Sequence, residues 1–540
     1  MESDDRRPLS AAVRNQSSRM YRGQRYSGML QRASGDTVAL IVLLGYGIFL
    51  LWNTGFATDD YVHFLNGQTR SISENGLPKE YISIPVLHYT HGLAYFVLGD
   101  RPWAYDLLKA GYAGMGVFFA SRFFQLFCAP RRALLLAFLF VFLPLYDAAT
   151  FWLTGLYLVL SFSCYLFAYV QGAAGRYGWA ILFALLGSFS SYGSPPVALG
   201  LTALALLRGR RKHAAALFVP NLIYVAYYLA TSLMLKAGTQ RLTGDFSLAA
   251  LIKQFLLQVA TFLDAAVGPS AWAKLYYSIL SLDGLGLGVG LAVSIALLRF
   301  VSGEQRIAVD RRLLATALLI LVGSFGMFAL TGLYPQLAFS LGDRVMIYGG
   351  FFLISLLAAV RLPRLVEMAV VTVLCFAITG VSIHWKHWHQ TVTRVAANIR
   401  VHEGLRTLAA GSRLYVSGHQ YSRLGPYCHI DFFTADYVVQ TFFTLQLGGH
   451  IPFRAVSFNR RLIFESGSLR DRKYGDSAPV VDGIWLYDSE RNALEWVVAA
   501  DISTRLLSLP DETRHWTQQL GDGWLKTRLL EAVPRLRYAY

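Results

Sequence analysis

The chain has 540 residues, 54% of them hydrophobic and 15% charged, with a formal net charge of +16. About a quarter of the residues of a soluble domain are charged, so the composition excludes an ordinary soluble globular protein. It also lacks the short alternating segments of a transmembrane barrel. Lys and Arg in such a chain collect in cytoplasmic loops and set orientation, so no nucleic-acid partner is expected.

Residues 1–37 form a basic arm, with seven Arg among the first 35 residues, expected on the cytoplasmic side. The first apolar run, 38–56, is long enough to cross about 30 Å of hydrocarbon and reads as a retained signal anchor. Further spans are expected near 104–127, 133–150, 152–170, 178–191, 195–207, 214–235, 283–300, 313–333, 344–361 and 366–384. Arg131-Arg132, Arg176, Arg208 to Lys212, Arg299 to Arg312, and Arg361 with Arg364 then all fall on the inner side, as the positive-inside rule requires. The stretch 178–207 is too long for one helix and breaks at Tyr192-Gly-Ser-Pro-Pro196.

Two outer loops stand out. Residues 57–103 begin with the acid pair Asp59-Asp60 and continue into an apolar piece, 82–98, interrupted by Pro85, His88 and His91; it is expected to lie in the interface. Residues 236–282 contain Leu251 to Ala266 and Trp272 to Leu282, apolar but carrying Lys253, Asp264 and Lys274. These pieces either lie in the interface or cross as a pair, so the total is about eleven to thirteen spans.

The expected fold class is a polytopic α-helical membrane protein with a small C-terminal α/β extracytoplasmic domain. Residues 38–384 form the transmembrane domain, with 57–103 as its first outer loop. Beyond it, 385–540 has ordinary polarity and strand-like runs bounded by turn residues, such as Arg413 to Ser417, Gly483 to Tyr487 and Leu494 to Val498. The four cysteines, Cys128, Cys164, Cys375 and Cys428, show no spacing of a metal knuckle or a disulfide framework.

This topology gathers one set of polar residues on the outer face: Asp59, Asp60 and His63; His88; Tyr146 and Asp147; Tyr192 and Ser194; Lys236, Arg241 and Asp245; Tyr334, Gln336, Asp343 and Arg344; and the run His384 to His389. The acid pair has four readings. It caps a helix, binds a divalent cation such as Mg²⁺ or Mn²⁺ through oxygen ligands, orients an acceptor, or takes a proton from an acceptor hydroxyl. Arg344 offers a planar fork of donors to a phosphate; its bland reading is a side chain snorkelling to the headgroups. The His384 to His389 run lacks a local carboxylate or cysteine and reads as an interfacial anchor.

The acid pair after the first span, the interfacial segment behind it, the many spans and the soluble outer tail together resemble the GT-C superfamily of membrane glycosyltransferases. Asp343-Arg-Val-Met-Ile-Tyr-Gly-Gly is similar to an acid-Arg-Tyr-Leu-Tyr run that opens a late span in several members. Many members carry Lys-Glu where this chain has Ser190-Ser-Tyr-Gly-Ser-Pro-Pro196, so those charges are missing here. The resemblance implies an inverting enzyme that moves a sugar from a polyprenyl-phosphate donor to a glycan, lipid or protein acceptor outside the cytoplasm. It implies Asp59 and Asp60 as base, acceptor-orienting group or metal ligands. Arg344, with Lys236 and Arg241, is then assigned to the donor phosphate, and His63, His88, Asp147, Tyr192, Tyr334 and Asp343 to substrate contacts. The expected location is a bacterial inner membrane with the N-terminus cytoplasmic. The main alternatives are a flippase of lipid-linked glycans, whose transporter hallmarks of internal repeats and mid-depth charges are not evident, and another transferase or polymerase of envelope glycans.

Overall fold

The computed structural model describes residues 33–69, 83–235, 247–301, 311–332, 334–360, 362–472 and 477–532. The chain divides into two compact units, Met1–Tyr46 and Gly47–Tyr540, and the described residues of the first are helical.

The helices, in chain order, are α1 (Ala33–Leu51), α2 (Asp59–Thr69), α3 (Pro85–Leu98), α4 (Pro102–Phe124), α5 (Pro130–Phe142), α6 (Leu153–Ala173), α7 (Tyr177–Ser190), α8 (Pro195–Leu207), α9 (Arg211–Leu235), α10 (Leu248–Ala266), α11 (Pro269–Leu280), α12 (Gly284–Val301), α13 (Arg311–Thr331), α14 (Ile347–Ala359) and α15 (Arg364–Val401). Helices α3, α4, α5, α8 and α11 open on proline. That position suits it, because the first helical N–H has no intrahelical partner and φ is already near −65°. Among the described residues six helical segments are long and apolar enough to cross a membrane: 153–173, 211–231, 248–280, 311–331, 341–359 and 364–401.

Several elements depart from the apolar runs. The run 133–150 is not one helix: α5 stops at Phe142, a 3₁₀ turn covers Pro144–Tyr146, and a four-residue helix follows at Ala148–Phe151. Pro144 opens that turn; its ring clashes with the carbonyl four residues back, which disfavours continuing the preceding helix. The interruption at 191–194 lies where Pro195 and Pro196 require it. The compositional boundary at 384–385 falls inside α15, which continues through 38 residues to Val401. At 1.5 Å per residue this helix is about 57 Å long, close to twice the hydrocarbon thickness.

After α15 the chain forms a sheet in the order β4 (Arg454–Ser457), β1 (Arg413–Ser417), β8 (Gly483–Asp488), β9 (Ala493–Val498). Strand β1 runs parallel to β4 and β8, and β9 pairs antiparallel with β8. Between β1 and β4 lie the hairpin β2 (Tyr421–Leu424) and β3 (Tyr427–Asp431), then helix α16 (Asp436–Gln446), and between β4 and β8 a second sheet of β5 (Leu462–Glu465), β6 (Ser468–Asp471) and β7 (Ser477–Pro479). Tyr415, Val456, Phe458, Ile484, Leu486 and Ile502 close one core of this tail.

The turn that delivers the acid pair is clamped. The Lys109 ammonium on α4 meets Asp106 at 2.9 Å and donates to Thr54 Oγ1 and the Gly55 carbonyl. Asp106 in turn accepts from the Asn53 amide, and the Trp152 indole donates to the Ala57 carbonyl. Gly55 has φ +67°, and any Cβ there would collide with the His389 ring, so glycine alone fits.

Helix α15 also crosses α11 at a glycine. A Cβ on Gly380 would strike the backbone carbonyl of Ser278, whereas one on Gly288 of α12 would meet nothing within 4 Å. Glycine to alanine inside a helix ordinarily stabilises by up to about 1 kcal/mol. Gly380→Ala should instead destabilise by about 1–3 kcal/mol through overpacking, and Gly288→Ala should not. Thermal unfolding of the two purified variants in one detergent checks the opposite signs.

Candidate functional site

A cleft lies where α2, α3, α6, the α7–α8 break, α13 and the turn before α14 converge. Its polar and aromatic lining includes Asp59, Trp152, Thr154, Tyr157, Tyr192, Arg344 and Tyr348. Ile84, Leu87, Leu158, Phe328 and Val345 supply apolar wall.

Asp59 and Asp60 open α2 and have different partners. Asp59 lines the cleft, and its Oδ1 accepts from the Tyr437 hydroxyl at 2.7 Å. Asp60 is buried and is not among the cleft residues. Its Oδ2 accepts from the Ala57 amide, and its Oδ1 from the amide and hydroxyl of Thr154. Asp60 thereby fastens the start of α2 to the start of α6, away from the cleft. Burial pushes its carboxyl up to about 6, against the opposing pull of Thr154, Ala57 and Lys109.

Arg344 lines the cleft in a 3₁₀ turn, Leu341–Met346. Its guanidinium lies 5.0 Å from the Trp152 ring centroid and 5.7 Å from that of Tyr334, and donates to the Leu341 carbonyl. Tyr192 and Tyr334 stand ring to ring at 6.3 Å. The cleft region thus joins Asp59, Arg344, Tyr192 and Tyr334. Lys236 and Arg241 lie outside the described residues.

The other sequence candidates lie elsewhere. His63 of α2 and His88 of α3 are buried off the cleft. The His63 ring packs on His91 at 4.3 Å, and His91 Nδ1 lies 3.2 Å from the Tyr157 hydroxyl. Burial lowers His91 to about 3 and His63 well below its usual value, with neighbouring imidazoles adding to both shifts. His63 and His88 therefore pack behind the cleft wall.

Asp147 and Asp343 are also not cleft residues. Both are fully buried beside Lys274 of α11, whose Nζ lies 2.6 Å from Asp147 Oδ1 and 2.5 Å from Asp343 Oδ2. The Trp385 indole of α15 donates to Asp147 Oδ2, and His429 Nε2 of β3 lies 2.9 Å from the same oxygen. Asp343 Oδ1 accepts from the Ala148 amide. Asp147, Asp343 and His429 present ligand atoms within 4.8 Å of one another, a spacing suited to a metal ion. The Lys274 ammonium supplies the positive charge among them, so this group does not fit a resident metal. His384 of the basic run bonds Ser422, and Lys386 donates to the Phe49 carbonyl.

Sequence reasoning missed Trp152, Thr154, Tyr157, Tyr348 and Tyr437, which read as span or tail residues. It placed Lys274 only as a charge within an apolar piece. No protein-family model matches the chain, and no curated protein is significantly similar to it.

Two predictions follow from the buried acids. Lys274→Met leaves the buried Asp147 and Asp343 without their cation and should cost about 3–5 kcal/mol, with part regained when Asp147→Asn and Asp343→Asn are added; unfolding midpoints of the single and triple variants test this. For Asp60, the folded value of about 6 exceeds the unfolded 3.8. The folded state therefore holds an extra proton between those limits, and its contribution to stability is present below about pH 4 and lost as pH rises through 6. The stability of wild type relative to Asp60→Asn should fall by about 2 kcal/mol from pH 4 to pH 7, measured by unfolding across that range.

Proposed function

We propose that this chain is a membrane glycosyltransferase of GT-C type, moving a sugar from a polyprenyl phosphate to an acceptor hydroxyl with inversion. The observation that carries the reading is the lining of one cleft by both a carboxylate, Asp59, and an arginine, Arg344.

Each half of the displacement has a residue suited to it. The acceptor oxygen forms a bond to the anomeric carbon as the bond from that carbon to the phosphate oxygen breaks. The acceptor proton passes to Asp59, acting as general base, and the electron pair leaves with the phosphate. Charge building on that phosphate is met by the Arg344 fork. Tyr192, a half-buried aromatic residue of the lining, offers a flat face for a sugar ring, and the apolar wall suits the first isoprene units. Back-side attack inverts the anomeric centre. Where Mg²⁺ or Mn²⁺ takes part, Asp59 is the exposed member of the acid pair able to reach it, since Asp60 already accepts three hydrogen bonds.

On this reading the chain crosses the membrane about eleven to thirteen times, with a cytoplasmic N-terminus and the sheet domain outside, in a bacterial inner membrane. The flippase alternative gains little from the buried charges, because Lys274 and its two aspartates are tied to one another rather than facing a pathway.

Transfer of labelled sugar from polyprenyl-phosphate hexose and pentose donors, in reconstituted vesicles, tests the proposal. Asp59→Asn should lower kcat by about 10²–10⁴, the usual contribution of a positioned base. Arg344→Ala should raise the donor KM at least about ten-fold, in line with loss of a charge-assisted contact. Full activity in purified Asp59→Asn would overturn the assignment.

A further inference from the structure

A side chain of the sheet-bearing tail bonds to a residue of the cleft. Tyr437, in the first turn of α16, donates to Asp59 Oδ1 across 378 positions of sequence. The helix that carries it is fixed on two sides. Towards the sheet, Asp436 Oδ1 accepts from the Ser457 amide and Gln440 Oε1 from the Ala455 amide, both on β4. Towards α2, the Tyr61 ring meets Phe442 edge-on at 5.0 Å and Phe432 at 6.0 Å. Trp388 of α15 closes on Phe432 at 5.9 Å. The Tyr437 hydroxyl is thus placed by a packed aromatic platform, although the residue itself is half exposed.

We propose that Tyr437 is a positioning residue for Asp59, so that the sheet domain is part of the catalytic site; this rests on the reading of Asp59 as base. A carboxylate at an exposed helix start rotates about its side-chain torsions. A phenol bound to Oδ1 stops that rotation and leaves Oδ2 to face the incoming hydroxyl. A base works only when held within hydrogen-bond reach of the proton it takes, and misplacement by about 1 Å is enough to cost 10²-fold in rate. Asp60 cannot take over, because its oxygens are committed to Ala57 and Thr154.

The test uses the full-length protein in vesicles with the same polyprenyl-phosphate donors. Tyr437→Phe should lower kcat about ten-fold, the rate equivalent of one hydrogen bond to a charged group. Donor KM and the unfolding midpoint should stay unchanged. Phe442→Ala, which loosens the platform without touching Asp59, should lower kcat in the same direction at unchanged donor KM. In an Asp59→Glu background, where the carboxylate is moved by one methylene from the phenol, Tyr437→Phe should cost nothing further. Full kcat in Tyr437→Phe, or multiplicative losses in the double variant, overturns the inference. If Asp59→Asn is inactive in the same assay, the base assignment survives that failure; if Asp59→Asn is fully active, both fall.

Discussion

Two buried aspartates and one lysine ammonium tie together the elements beside the cleft. Removing ions of this size from water costs several kcal/mol each even after relaxation, so the arrangement persists only with every partner in place. Lys274 comes from α11, Asp147 from the turn after α5 and Asp343 from the turn before α14. Trp385 and His429 complete it from α15 and β3. Asp343 immediately precedes Arg344, and Asp147 lies five residues before Trp152. Both walls of the cleft that flank the guanidinium are therefore set by the same buried charge centre.

Adjacent residues with opposite fates recur here. Asp59 faces the cleft and Asp60 the interior; Arg344 faces the cleft and Asp343 the interior. Neighbours point about 100° apart on an α-helix and about 120° apart on a 3₁₀ turn, so one of two consecutive polar residues at a boundary can be buried while the other stays accessible. In each pair the buried acid satisfies backbone amides, Ala57 and Thr154 for Asp60 and Ala148 for Asp343. The inner residue holds the element and the outer one lines the cleft.

This explains what the sequence made legible. Apolar run lengths gave the helices near 153–173 and 311–331, and the paired prolines gave the interruption at 191–194, because each signal is local. Asp59 and Arg344 stood out as charges at run ends, and the cleft contains both. Pairwise choices were hidden: which acid of each pair turns inward depends on partners 94 or 195 positions away. Lys274 lay in a piece that hydropathy alone left between interface and span. The end of α15 was misplaced because its second half is studded with His, Lys and Arg, which lowers hydropathy without breaking a helix. Tyr437 carried no signal, since its significance arises only when α16 is laid against α2.

Because α15 is a continuous rod of 38 residues, the sheet domain has a fixed height and azimuth relative to the apolar bundle. Each added residue would turn the domain by about 100° and lift it by about 1.5 Å. Two whole turns, about seven residues, would restore the facing direction yet raise the domain by about 10 Å. Chain length in this one helix is therefore a ruler, and natural variation in it would be confined to other segments.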